Sequence, residues 1–266
     1  MTVTVEGNGP VTTVIHSRPE ARNAMDPESA EALVDAFLAF DRDPETAVAV
    51  FRGAGGAFCA GWDLKFGASL VGVERPLKDL DFPDGDGPVP RGPMGPSRLE
   101  LSKPVIAAVA GPAVAGGFEL ALWCDLRVME EDAYFGVYCR RWGIPLIDGG
   151  TVRLPRLVGE GRALDIILTG RKVEAEEAYR IGLCERIAPK HRAREIAEEL
   201  AHEIARFPQG CVRADRRSAR SQHGLPLRDA LAQEWETSVA LVEQEGAAGA
   251  ARFSAGRGRH GDFGAI

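Results

Sequence analysis

The sequence predicts an α/β protein: a mostly parallel sheet with right-handed helical crossovers, followed by a helical C-terminal third. Three observations carry that reading. Two short apolar runs ended by glycine, "AVAVFRG" (47–53) and "PVIAAVAG" (104–111), have the form of strands buried on both faces. Helix-periodic segments alternate with them, which favours parallel pairing. From residue 160 onward the pattern is almost entirely helical.

The elements follow in order. The N-terminal "MTVTVEGNGPVTTVIHSRP" alternates and brackets "EGNGP", the pattern of a β-hairpin. It has neither a basic leader nor an apolar stretch, so it does not read as a signal peptide. "DPESAEALVDAFLAF" opens a helix with Asp26 as N-cap and Pro27 at the first turn, and Ala30, Leu33, Val34 and Phe37 form its apolar face. "CDLRVME" is a third candidate strand. Residues 67 to 97, with "DFPDGDGPVPRGPMGPS", are so rich in proline and glycine that they predict a long mobile loop, either a lid or plain disorder. "GRALDIILTG", "EAEEAYRIGL", "HRAREIAEELAHEIARFP" and "LRDALAQEWETSVALVEQE" predict helices, and in the last of these Leu227, Leu231, Trp235, Val239 and Val242 make one stripe for a core or a subunit interface. The closing "FSAGRGRHGDFGAI" is glycine-rich and basic, a tail expected to dock. The organisation expected is a core domain over residues 1–200 and a C-terminal helical region over 201–266.

Composition removes several function classes. The 266 residues are 45% hydrophobic and 27% charged with a net charge of -7, which argues against nucleic acid as a partner. The basic run "RADRRSARSQ" (213–222) reads as the solvated face of a helix. No apolar stretch reaches the roughly 18 residues of a membrane span. Five irregularly spaced cysteines without a CxxC pair give no zinc pattern and fit reduced thiols in the cytosol. The phosphate-binding GxxxxGK[ST] pattern is absent, and no metal or redox cofactor is indicated.

Two glycine-bearing segments carry the chemistry. "GGAFCAGWDL" (55–64) follows the first buried strand and "GPAVAGGFEL" (111–120) follows the second. Both sit beyond the ends of parallel strands, where α/β proteins bind ligands. Turns of this kind leave N–H groups unpaired at a helix start, and two such donors converging would make an oxyanion hole. Within the second segment, Glu119 stands in an otherwise apolar helix. A buried carboxylate is either satisfied by helix-end N–H groups or an arginine, or is tuned as a general acid or base.

The order "AFCAGWDL", "KPVIAAVAGPAVAGGFELALWCDLRV", "AYFGV" and "IDGGTVRLPRLVGEGRALDIILTGRKVEAEEAYRIGLCERI" resembles the enoyl-CoA hydratase/isomerase (crotonase) family, from about residue 10 to about 205. The resemblance implies a crotonase-like superhelix of ββα turns with a helical C-terminal trimerisation region. It implies an acyl-CoA thioester as substrate, with coenzyme A part of that substrate rather than a cofactor. It places the oxyanion-hole donors on the N–H groups of Trp62 and Gly116, and coenzyme A contacts around Ala60, Asp63 and Leu64, with Arg22 a candidate for the phosphates. Glu119 matches the first of two catalytic glutamates. At the second, "FGVYCRRWG" puts Cys139, a poor acid/base unless its pKa is lowered. Neighbouring Arg140 and Arg141 could lower it or bind an acidic acyl group. "GIPLIDGGT" (143–151) supplies Asp148 as a possible replacement or as a cap of the turn. Trp142 hints at an aromatic-tolerant acyl pocket. The expectation is therefore an enoyl-CoA hydratase-like enzyme in the cytoplasm, a homotrimer or a dimer of trimers, with an isomerase or other crotonase-type reaction, or a non-catalytic acyl-CoA-binding protein, as alternatives.

Overall fold

The computed structural model describes residues 2–258, 260 and 263–265. β1 (Val3–Asn8) and β2 (Val11–His16) form the expected hairpin. β2 then pairs in parallel with β3 (Val48–Gly53), β3 with β4 (Val105–Val109), β4 with β6 (Leu126–Glu130), and β6 with β9 (Arg186–Ala188). Only β1 runs against its neighbour in this six-stranded sheet. A second sheet joins β5 (Pro112–Val114), β7 (Tyr134–Gly136) and β8 (Lys172–Glu174). The helical reading from residue 160 is corrected at two places, because β8 and β9 lie within that stretch. Three residues are too few for periodicity to separate a strand from the helices around it.

β4 is apolar at every position and β3 over its first four residues, because both faces are covered. Val48 and Val50 of β3, with Ile106 and Ala108 of β4, pack under α7 (Ala193–Ala205) through Ala197, Leu200 and Ala201. The alternate residues Ala49, Phe51, Ala107 and Val109 face a larger core with α1 (Pro27–Arg42). Asp26 caps α1 by accepting the Ser29 N–H, and Ala30, Leu33, Phe37 and Phe40 are its buried residues, while Val34 is only half-buried. The domain boundary expected at 200 falls inside α7, which belongs to the sheet.

Residues 67–97 are less loop-like than their composition predicts. α2 (Leu64–Ser69) and 3-10 turns at Lys78–Leu80 and Pro96–Arg98 break the segment, and residues 92–97 are buried. The basic run lies on α8 (Gln209–Ser221), and its face is not simply solvated. Arg216 and Arg220 both pair with Asp125, which ties α8 to the end of the helix before β6. α9 (Leu227–Leu241) packs on α8 and leaves Leu227, Leu231, Trp235 and Val242 exposed, so its stripe is no part of this chain's core. In the tail, Phe263 meets the Phe207 ring at 6.0 Å, while Arg259, Gly261, Asp262 and Ile266 lie outside the described residues.

Candidate active site

The two glycine-bearing segments are pressed against each other. The Val114 N–H donates to the Cys59 carbonyl at 3.0 Å, and Cys59 and Ala113 form a parallel bridge. A Cβ on Gly117 would fall inside the van der Waals shell of the Cys59 oxygen, and one on Gly61 would sit 3.2 Å from the Gly116 nitrogen. Only glycine allows that approach. Ala115, just before α3 (Gly116–Trp123), is held at φ 54° and ψ −126°. An L-residue at positive φ stores strain, a common feature of ligand-binding turns. Neither the Trp62 N–H nor the Gly116 N–H donates to an acceptor among the described residues, and both residues line one cavity of about 700 Å³. Trp62 is not at a helix start, as its turn predicted. It lies two residues before α2, bridged to Met25.

The first turn is braced by a residue that the sequence reading missed. Asn23, fully buried at φ 56°, donates through Nδ2 to the carbonyls of Ala54 and Ala57 and accepts the Arg18 N–H. An asparagine in "EARNAM" tolerates left-handed backbone, and that is the signal that could have marked it. Arg22 and Leu64 lie exposed at the rim of the cavity and Ala60 lines it. Asp63 does not line it. Its carboxylate accepts the Lys65 and Phe66 N–H groups as the cap of α2 and pairs with Arg18 at 3.0 Å. Those bonds, with Arg18, outweigh burial and hold it below the usual carboxylate range.

Glu119 belongs to α3, whose eight residues are all buried, and is itself 3% exposed. Its Oε1 accepts the Asp148 N–H at 2.9 Å and the Gly150 N–H at 2.8 Å. These are the unpaired donors at the start of α4 (Gly150–Val158), where a carboxylate is electrostatically favoured. Among the described residues its Oε2 takes no hydrogen bond, and Glu119 lines the cavity. The sequence reading of a glutamate satisfied by helix-end amides thus describes its Oε1. Burial and, after it, the charge of Asp148 push the carboxyl up from 4.5 to about 7 despite the two amides. That suits proton transfer near neutrality.

Asp148 is brought to the same cavity and is 3% exposed. Its Oδ1 accepts the Met94 N–H at 3.0 Å and the Ser97 hydroxyl. Burial raises its pKa more than these bonds lower it. Met94 and Ser97 were missed because they lie in the proline- and glycine-rich segment read as a loop. Arg153 braces the wall from behind, donating to the carbonyls of Asp148 and Ser97 at 2.9 and 2.7 Å. Cys139 also lines the cavity, but burial and the nearby Glu119 push its thiol up, so Arg140 does not activate it. Trp142 sits at the rim, 61% exposed.

The chain matches the model of the enoyl-CoA hydratase/isomerase family over residues 6–76 and 97–257. It is 38% identical over 233 residues to enoyl-CoA hydratase EchA19 of Mycobacterium tuberculosis, covering 85% of this chain and 83% of that one. It is 38% identical over 224 residues to carnitinyl-CoA dehydratase of Salmonella typhi, covering 84% and 81%. Among solved structures, an enoyl-CoA hydratase from Mycobacterium tuberculosis H37Rv superposes with a TM-score of 0.85 at 33% identity over 95% of both chains. Enoyl-CoA hydratase EchA1 from Mycobacterium marinum gives 0.84 at 32%, again over 95% of both. With a family match across nearly the whole length and relatives of this kind, the chain belongs to the enoyl-CoA hydratase/isomerase family and has the crotonase fold.

Proposed function

We propose that this chain adds water to 2-enoyl-CoA thioesters, with the N–H groups of Trp62 and Gly116 as the oxyanion hole and with Glu119 and Asp148 as the proton-handling pair. The observation that carries this reading is the placement of Glu119. One of its oxygens is clamped by two amides, the other takes no hydrogen bond among the described residues, and Glu119 lines the same cavity as Trp62 and Gly116. In the forward direction the Glu119 Oε2 takes a proton from water as the water oxygen bonds to C3 of the enoyl group. The C2–C3 π electrons move toward the thioester, whose oxygen gains charge against the two N–H groups. Fixed donors stabilise that charge with little reorganisation. C2 then takes a proton from the Asp148 carboxyl, whose pKa burial raises. Transfer from Glu119 back to Asp148 closes the cycle. Ala60, Leu64 and Arg22 at the rim would take the coenzyme A portion, and Cys139 and Trp142 the acyl portion. The steps are proton transfers and call for no metal or redox group.

The exposed α9 stripe supports assembly into a trimer or a dimer of trimers, since four large apolar side chains on one helix face are costly to leave in water. The five free cysteines fit a reducing cytoplasm. Among the described residues no helix is long and apolar enough to cross a membrane. The deciding experiment is a crotonyl-CoA hydration assay on wild type and Glu119→Gln. Turnover that collapses in the variant supports the reading, whereas tight acyl-CoA binding without turnover by wild type would replace it with a binding protein.

A further inference from the structure

Arg141 is the one cation on its wall of the cavity that has no assigned work. Its guanidinium carbon lies 4.9 Å from the centre of the Tyr138 ring and 5.7 Å from that of Trp142. Tyr138 is itself fixed, packed so closely over Gly136 that a Cβ there would lie 2.5 Å from the ring. Among the described residues Arg141 forms no ion pair, and its one hydrogen bond runs from Nε to the Tyr138 carbonyl at 3.4 Å. Of the other cations close by, Arg140 donates from Nε to the Ile167 carbonyl at 3.3 Å, and Lys172, over the Tyr134 ring, is paired with Glu174 at 2.9 Å. A guanidinium held by aromatic faces keeps its edge N–H groups free, and that edge is shaped for a carboxylate.

Its place in the cavity says which part of a thioester it meets. Arg141 is two residues beyond Cys139, whose thiol feels the Glu119 charge, and it shares its wall with Ile144 and Ile147, which run on to Asp148. The proposed coenzyme A rim at Ala60 and Leu64 belongs to the other glycine-bearing turn. Arg141 stands against the Tyr138 and Trp142 rings, and the cavity is also lined by Tyr134, Ile144 and Ile147. Such a pocket takes a hydrocarbon body with one anionic end.

Resting on the hydratase reading above, we propose that Arg141 selects enoyl-CoA thioesters whose acyl chain ends in a carboxylate. A charge-assisted hydrogen bond of this kind is worth roughly 10- to 100-fold in affinity. The test compares a matched pair of equal chain length, glutaconyl-CoA and trans-2-pentenoyl-CoA, as substrates of wild type, Arg141→Lys and Arg141→Met. Wild type should favour the acid ester by at least about tenfold in kcat/KM. The ratio should fall part of the way in Arg141→Lys and to near one in Arg141→Met, with the change in KM rather than kcat. Binding of glutaryl-CoA against pentanoyl-CoA by calorimetry needs no turnover, so it reads the acyl preference even if hydration fails. A wild type without preference, or an Arg141→Met that weakens both esters equally, overturns the proposal. Repeating the binding with dephospho-CoA esters covers the other anion in reach, since an Arg141 effect that vanishes there belongs to the coenzyme A 3′-phosphate and also overturns it.

Discussion

Glu119→Gln separates a glutamate that merely ties two helices together from one that is held ready to move a proton. The glutamine carbonyl still accepts the N–H groups of Asp148 and Gly150, so the structural bond survives. What disappears is the titrating oxygen. In the folded chain the carboxyl sits at about 7 against 4.5 for the free group. The folded state therefore binds more protons than the unfolded one between these values, and stability falls as pH rises through them. At about 1.4 kcal/mol per tenfold, the cost reaches roughly 3 kcal/mol above pH 8 and is under about 1 kcal/mol at pH 5. The variant removes that cost, so it should be more stable than wild type by roughly 3 kcal/mol at pH 9 and nearly equal at pH 5. Urea unfolding at fixed protein concentration reads the difference directly.

The same substitution should lower kcat for crotonyl-CoA hydration by about 100- to 10,000-fold, the usual weight of one general base. Stability gained where activity is lost is the signature of a group kept in an unfavourable state for its chemistry. A variant no more stable at pH 9 than at pH 5, relative to wild type, would show that the carboxyl titrates normally. Activity within tenfold of wild type would remove Glu119 from the mechanism whatever its pKa.

Four other perturbations test neighbouring steps. Asp148→Asn should lower kcat about 100-fold and move the acidic limb of the rate profile to lower pH, because the Asp148 charge helps hold Glu119 up; a shifted limb with kcat within threefold would leave Asp148 an electrostatic role only. Gly61→Ala places a Cβ 2.8 Å from that of Ala115 and so drives the two turns apart; loss of one donor should cost about 100- to 1,000-fold in kcat, and a pure KM effect would contradict the oxyanion hole. Cys139→Ser should keep kcat within a few-fold in the same assay, since the thiol is held neutral, and a loss of 100-fold or more would give it a catalytic task. His16 is fully buried, neither ring nitrogen has a partner, and burial with the Arg18 charge lowers its pKa to about 4. Its contribution is complete above pH 6.5 and is lost as pH falls towards 4, roughly 3 kcal/mol in all; His16→Leu should flatten that part of the stability profile, and parallel urea curves would refute it.

How much was legible in the sequence depended on the range of the interaction involved. Strands β3 and β4 could be read because both faces are largely apolar, and the α1 cap because Asp26, Pro27 and Ser29 are local to one another. The pairing of the glycine-bearing turns was legible only through their positions after buried strands. Asn23, Met94 and Ser97 were not. Each acts on a residue distant in sequence, and a chain of prolines and glycines gives no period by which to see that its last six residues are buried. The same limit hid the work of the α8 arginines, since their partner Asp125 lies more than 90 residues away.

If Cys139 stands where the resemblance places the second glutamate, the site is still not one carboxylate short in the proposed mechanism, because Asp148 lines the same cavity. Asp148 gives its N–H to Glu119 while its own carboxyl is held by Met94 and Ser97. In the proposed mechanism one peptide thus orients the base and carries the acid. Two carboxyls so close in a dry site resist being ionised together, and burial raises both. Ionising one therefore opposes ionising the other, and their titration is shared. The proposed hydration uses that coupling, with one oxygen to take a proton from water and one proton for C2. With Asp148 as the proposed acid, the wall from Tyr138 to Trp142 has no proton to transfer, which leaves Cys139 a filling role and Arg141 the proposed recognition of the acyl chain.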